Sequence, residues 1–130
     1  MQTFKKTEKL CGKIDTENLF SNGDSFFLPP FRIALIKDDN LFKEEPLRLL
    51  VIVPKKKISL AVNRNKIKRC IREAFRKNKK ILISNLKLKN KKLDFALIYQ
   101  PKNLSSCNTI EIKVKEIISR LSDSLWNFFL

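Results

Sequence analysis

The stretch Ala61-Val62-Asn63-Arg64-Asn65-Lys66-Ile67-Lys68-Arg69-Cys70-Ile71-Arg72-Glu73-Ala74-Phe75-Arg76 decides the fold, because it has one helical period and two contrasting faces. At about 100° per residue, Ile67, Cys70, Ile71, Ala74 and Phe75 share one arc, which must be packed. Arg64, Lys68, Arg72 and Arg76 fall one turn apart in a neighbouring stripe, and Lys66, Arg69, Lys77, Lys79 and Lys80 widen it. The spacing predicts a helix from about Asn63 to Ile81, with Asn63 as its cap. Glu73 is the lone acid between Arg64 and Lys80. Like charges four residues apart cost a few tenths of a kcal/mol each, so the stripe calls for an outside countercharge. A phosphate backbone supplies it, and arginine adds a planar two-pronged donor that lysine lacks. Free N–H groups at the helix start around Asn63, Arg64 and Asn65 also favour phosphate. Lys55, Lys56 and Lys57 extend the patch upstream.

Outward from this helix the chain alternates between strands and helices. Leu47 to Val53 is apolar apart from Arg48 and rich in branched residues, which predicts a central strand ended by Pro54. Phe31 to Ile36 alternates, with Phe31, Ile33 and Leu35 on one side and Arg32, Ala34 and Ile36 on the other. Pro29-Pro30 sets an extended approach to it. The charged stretch Lys37 to Pro46 joins the two runs, which are expected to form a long hairpin. Ser84 to Lys92 reads as a surface connection, and Leu93 to Tyr99 as a strand stopped by Pro101. A last helix starts near Asn108 or Thr109, with Asn108 and Glu111 resembling a capping box. Its packing stripe is Ile110, Val114, Ile117, Ile118, Leu121 and Leu125. Upstream, Lys9 to Phe20 reads as a short helix stopped at Asn22-Gly23. The expected fold is therefore α+β, a compact two-layer sandwich of a small mixed sheet with three helices, in the order α-β-β-(β)-α-β-α.

Residues 1–130 read as a single RNA-binding domain. The 28 Lys and Arg exceed the 13 Asp and Glu, a formal charge of +15. Self-repulsion on that scale points to a polyanionic partner, nucleic acid first and anionic membrane second. With 3 Cys and no His, neither a disulfide framework nor a zinc site is expected, and the compartment reads as cytoplasmic. No run has the length of a membrane span. Histidine is missing as an acid or base near neutral pH, and Asp38-Asp39 is the tightest carboxylate pair. Catalysis by the chain alone is therefore not expected. Phe20, Phe26, Phe27, Phe31 and Tyr99 are either core or stacking surface for unpaired bases. The tail Trp126, Phe128, Phe129 and Leu130 either extends the last helix's packing or meets a membrane surface.

Pro54-Lys55-Lys56-Lys57 followed by Ala61 through Arg76 resembles the signature of the bacterial ribonuclease P protein component. Leu19-Phe20 before Gly23, and Asp94 to Tyr99 before the last helix, fit the same family along nearly the whole chain. The resemblance implies a protein subunit of the ribonucleoprotein endonuclease that removes the 5′ leader from precursor tRNA. It implies that the partner RNA is catalytic and holds the Mg²⁺, and that the protein aids leader binding, metal affinity and RNA folding. One protein per RNA, in the cytoplasm and without a membrane, is the expected arrangement. The family's arginine-asparagine-arginine motif falls on Arg64, Asn65 and Lys66, and further basic positions on Lys68, Arg69 and Arg72. Arg76 continues that face. A separate cleft receives the leader, which the resemblance places at Phe20 and Phe31, with Phe27 and Tyr99 as neighbours. Lys66 keeps the motif's charge without the planar fork, and Thr16 stands where relatives carry a larger apolar residue. The resemblance also implies a left-handed crossover through the central helix, against the general rule. A noncatalytic structural or ribosomal RNA-binding protein is the alternative.

Overall fold

The computed structural model describes residues 17, 19–21, 23–38, 46–89 and 92–128. The expected start of the first helix at Lys9, together with Thr16, Asn22 and Asp39, lies outside them. So do the side chains of Leu125 and of the aromatic tail from Trp126.

Alternation of apolar residues forms the strands β1 (Asp24–Leu28), β2 (Phe31–Asp38), β3 (Leu47–Ile52) and β4 (Lys92–Tyr99). They build one sheet in the order β1-β2-β4-β3. Pro29 and Pro30 make the turn between β1 and β2, which pair antiparallel, so they close a hairpin and do not merely lead into a strand. β4 pairs antiparallel with β2 and parallel with β3. The expected β2–β3 hairpin therefore does not form, because β4 inserts between them. β4 takes the centre because it is apolar on both faces: Leu93, Phe95, Leu97 and Tyr99 point one way, and the small Ala96 lets Leu19 pack on the other. β3 lies at the edge despite its branched residues.

One face of the sheet carries Phe31, Ile33, Leu35, Leu47, Leu49, Val51 and the alternate residues of β4 into the main core. The central helix (Ala61–Lys89) covers it with Ile67, Ile71, Ala74, Phe75, Leu82 and Leu86. This helix runs 29 residues, longer at both ends than the spacing predicts. Ser84 to Lys89 is helical because Leu82 and Leu86 continue the buried arc one turn at a time. The last helix (Cys107–Phe128) packs alongside with Ile110, Val114, Ile117, Ile118 and Leu121. Its cap is Ser106, whose Oγ accepts from Thr109 N at 3.2 Å, so Asn108 lies inside the first turn. Phe75 and Phe95, 5.9 Å apart, tie helix to sheet, and Phe31 meets its cross-strand partner Tyr99 edge-on at 6.0 Å. Each such buried side chain contributes on the order of 2 kcal/mol. Cys70 and Cys107 were expected to be unpaired. Instead their Sγ atoms are in bonding contact, with Cα atoms 5.3 Å apart, linking the two helices.

Candidate nucleic-acid interface

The approach to the central helix is a tight turn. Lys57 N and Ile58 N both donate to Pro54 O, at 3.0 and 3.1 Å. The turn leaves Lys55 and Lys56 exposed and Lys57 half-buried, while Ile58 anchors it in the core. Helical geometry begins at Ala61, and Arg64 N donates to Leu60 O at 3.0 Å. Asn63 is thus a half-buried residue of the first turn and not the cap. Arg64 also braces the chain: its Nη1 donates to Ser59 O at 2.7 Å and to Ile58 O at 3.1 Å. That guanidinium fixes the path into the helix, whatever else it binds.

The arc that faces water is rotated from the stripe expected at sequence level. Asn65, Lys66 and Arg69 are exposed, whereas Lys68, Arg72 and Arg76 flank them half-buried. The rotation follows from Leu82 and Leu86, which extend the buried arc toward Lys68 and Lys79. Lys79 does not widen the charged surface: it is 6 % exposed, with Nζ 6.0 Å from the Phe75 ring centre. Asn65, Arg69, Arg72, Glu73 and Arg76 line an open groove of about 380 Å³. Within it Arg76 Nε donates to Glu73 Oε2 at 3.0 Å. This hydrogen bond holds the Glu73 carboxyl below the usual carboxylate range and raises Arg76. Glu73 thereby neutralises Arg76 and leaves Arg69 and Arg72 as the groove's uncompensated charges among the described residues. A surface of this kind binds phosphates with little regard to sequence.

A different groove lies on the far side of the sheet. Leu19, Phe20 and Gly23 form one wall, and Ser25, Arg32, Ala34, Ile98 and Gln100 the floor and rim, enclosing about 290 Å³. Phe20 is 46 % exposed there, an aromatic face open to a ligand. Gly23 closes the helical turn, donating to Leu19 O at 3.0 Å. A Cβ at position 23 would collide with Leu19 O and lie 2.6 Å from Leu35 O, so only glycine lets the turn press onto β2.

Two residues expected in the leader cleft are elsewhere. Phe31 and Tyr99 are wholly buried on the helix-covered face, on the opposite side of the pleat from Arg32 and Ile98. Tyr99 keeps its hydroxyl satisfied by donating to Asn103 O at 2.6 Å and accepting from Ser105 N at 3.0 Å, which pins the segment before the last helix. Phe27 does point outward, 60 % exposed at the sheet edge opposite Arg32 in register, but it does not line the groove. Arg32, Ser25 and Gln100 were missed as site residues. The alternation of β2 already put Arg32 opposite Phe31, so only Ser25 and Gln100 lacked a signal. Deeper on this face Arg48 grips Asp94 with two bonds, Nε to Oδ1 at 2.8 Å and Nη2 to Oδ2 at 2.7 Å.

Among the described residues no group of His, Cys, Asp and Glu is placed to hold a metal ion. Among the same residues no helix is long and apolar enough to cross a membrane.

The family model described as Ribonuclease P matches residues 4–122. A ribonuclease P protein component of Porphyromonas gingivalis is 27 % identical over 120 residues, covering 92 % of this chain and 87 % of that one. The ribonuclease P protein of Staphylococcus aureus superposes with a TM-score of 0.68 at 24 % identity, covering 87 % of this chain and 94 % of that one. That of Thermotoga maritima gives 0.67 at 26 % identity, covering 87 % and 96 %.

Proposed function

This chain belongs to the ribonuclease P protein family, and on that premise we propose that its two grooves divide the work between two RNAs. The chain is the protein subunit that assists the catalytic RNA in processing the 5′ leader of precursor tRNA. The water-facing side of the central helix takes the catalytic RNA, through Asn65, Lys66, Arg69 and Arg72, with Lys55 and Lys56 reaching phosphates beside it. The groove on the open sheet face takes the leader. There Phe20 stacks on an unpaired base, Arg32 faces the backbone, and Ser25 and Gln100 offer hydrogen bonds.

The observation that carries this reading is the helix groove, where Arg69 and Arg72 stand without a neutralising acid among the described residues while Glu73 is spent on Arg76. Such a face suits phosphate and not a hard cation. Its one carboxylate is already paired; in the proposed arrangement the RNA holds Mg²⁺ and the protein aids metal affinity by positioning that RNA. The proposed arrangement is one protein per RNA, in the cytoplasm.

Reconstitution with the catalytic RNA at low Mg²⁺ tests the reading. The protein restores leader cleavage, and protein alone cleaves nothing. Replacing Arg69 and Arg72 together with alanine weakens RNA binding by roughly 100-fold, about tenfold for each charge-assisted contact. The slope of log affinity against log salt falls by about 1.4–1.8. Cleavage that the protein leaves unchanged sinks the subunit reading. An unchanged slope in the double variant sinks the assignment of the helix face.

A further inference from the structure

A second cationic groove lies between the central and last helices, away from both surfaces described above. Lys77, Lys80 and Lys115 surround it, Asn78, Asn85 and Ser122 line it, and it encloses about 460 Å³. Among the described residues no carboxylate lines it. Lys77 Nζ pairs at 3.7 Å with Glu111 Oε1, a carboxylate that does not line the groove. Ser122 is 7 % exposed, and its Oγ is buried without a hydrogen-bond partner among the described residues. A hydroxyl left in that state destabilises the free protein, and a ligand that engages it removes that cost. Asn78 uses its Nδ2 on Ala74 O at 2.7 Å, so its own carbonyl oxygen is left for a donor. Ile81, 62 % exposed at the rim, adds apolar surface of the kind that packs on a sugar or a base.

We propose that this groove is a second binding site for the catalytic RNA, taking a backbone phosphate between Lys80 and Lys115 with the adjoining ribose against Ile81. Charge selects a polyanion over a protein helix, because three lysines and, among the described residues, no carboxylate line the groove, while Ile81 and Ile118 offer apolar surface for a sugar or a base. Placement selects the catalytic RNA over the leader. Arg69, Glu73, Arg76 and Lys80 follow one another at i, i+4, i+7 and i+11 along one side of the central helix. An RNA strand lying on the first half of the helix therefore passes from Arg69 to Lys80 over about 16 Å of helix axis and turns into the groove. The leader groove is on the opposite side of the sheet, with the main core between. This inference rests on the subunit reading above and adds a contact to it.

The test compares the wild-type protein with the double variant Lys80→Ala/Lys115→Ala and with a photo-crosslinking residue placed at Ile81. Binding to the catalytic RNA is expected to fall about five- to tenfold in the double variant, and the salt slope by about one to two. The far-UV spectrum and thermal midpoint stay the same, since both lysines are exposed. The residue at position 81 gives adducts with the catalytic RNA. Wild-type affinity and slope retained in the double variant, adducts confined to the leader, or adducts with protein only would each overturn the proposal. Should the wild-type protein itself fail to bind the catalytic RNA, the subunit reading fails first, so the two failures are told apart.

Discussion

The first half of the central helix and the open face of the sheet, the two surfaces proposed to bind RNA, are built on different physics. The helix face works by charge that the protein leaves uncompensated: Asn65, Lys66 and Arg69 stand in water, and the nearest acid is taken by Arg76. Its affinity is long-ranged and sensitive to salt. The sheet groove works by shape. It exists because Gly23 lets a helical turn sit against β2, and because Leu19 fills the hollow over Ala34 and Ala96 while Phe20 remains open. A surface of charge tolerates the loss of any one residue in small steps, whereas a groove set by close packing depends on one or two positions.

The sharpest way to break the comparison is at Phe31. It sits one residue from Arg32 but on the other side of the pleat, so Phe31→Ala empties the core and is expected to destabilise the protein by about 3–5 kcal/mol. Chemical denaturation measures this. A stable Phe31→Ala protein with weakened leader binding would move Phe31 into the groove and contradict the division of the sheet faces.

A smaller effect is expected from Phe20→Ala. The loss of one stacked base is worth about 1–3 kcal/mol, so affinity for precursor tRNA with a leader falls by about 5- to 150-fold. Affinity for precursor lacking a leader stays unchanged, as does binding to the catalytic RNA. Equal losses with and without the leader would show that the two surfaces are not separate.

The smallest effect tests the helix side. Glu73→Gln releases Arg76, so binding to the catalytic RNA tightens by about twofold at low salt, and the gain fades as salt rises. Acid should act in the same direction. The Glu73 carboxyl is held below its usual range by the Arg76 hydrogen bond, so the pair is intact at neutral pH and is lost only as pH falls through that lowered value. Between neutral pH and that point wild-type binding should show no step from this pair. A variant that binds more weakly would mean Glu73 positions Arg76 for phosphate and does not compete with it.

Much of this was legible in the order of residues. A helical period with apolar residues on one arc and arginines beside them needs no tertiary information, and neither does the scarcity of acids that could neutralise them. The strands from Phe31, Leu47 and Leu93 were readable by alternation and branching, and so was the position of Gly23 as a stop. Less visible was the cap of the last helix: Asn108 fits the pattern as well as Ser106, and only the accepted bond from Thr109 distinguishes them. Arg64 read as one more cation of the stripe, but its bonds to Ile58 O and Ser59 O make it partly a brace for the chain before the helix. Lys79 reads as surface, yet it is buried with its Nζ over the Phe75 ring, because a long aliphatic side chain at the border of a buried arc can lie either way.

By itself the sequence determined most of the elements and the sign of the surface, since these depend on side-chain chemistry at fixed local spacing, but it left β1 unread and took Ser84 to Lys89 for a connection where the central helix continues. Which strand sits beside which was decided only by the tertiary structure. β4 displaced β3 from the inside of the sheet because β4 buries residues on both faces whereas β3 buries only alternate ones, a comparison among distant segments that no local period contains. The direction of Phe31 and Tyr99 toward the helices, and of Phe20 away from them, was settled by the same assembly. A pleat says that neighbours point oppositely, but only packing against the helices says which of them faces the core.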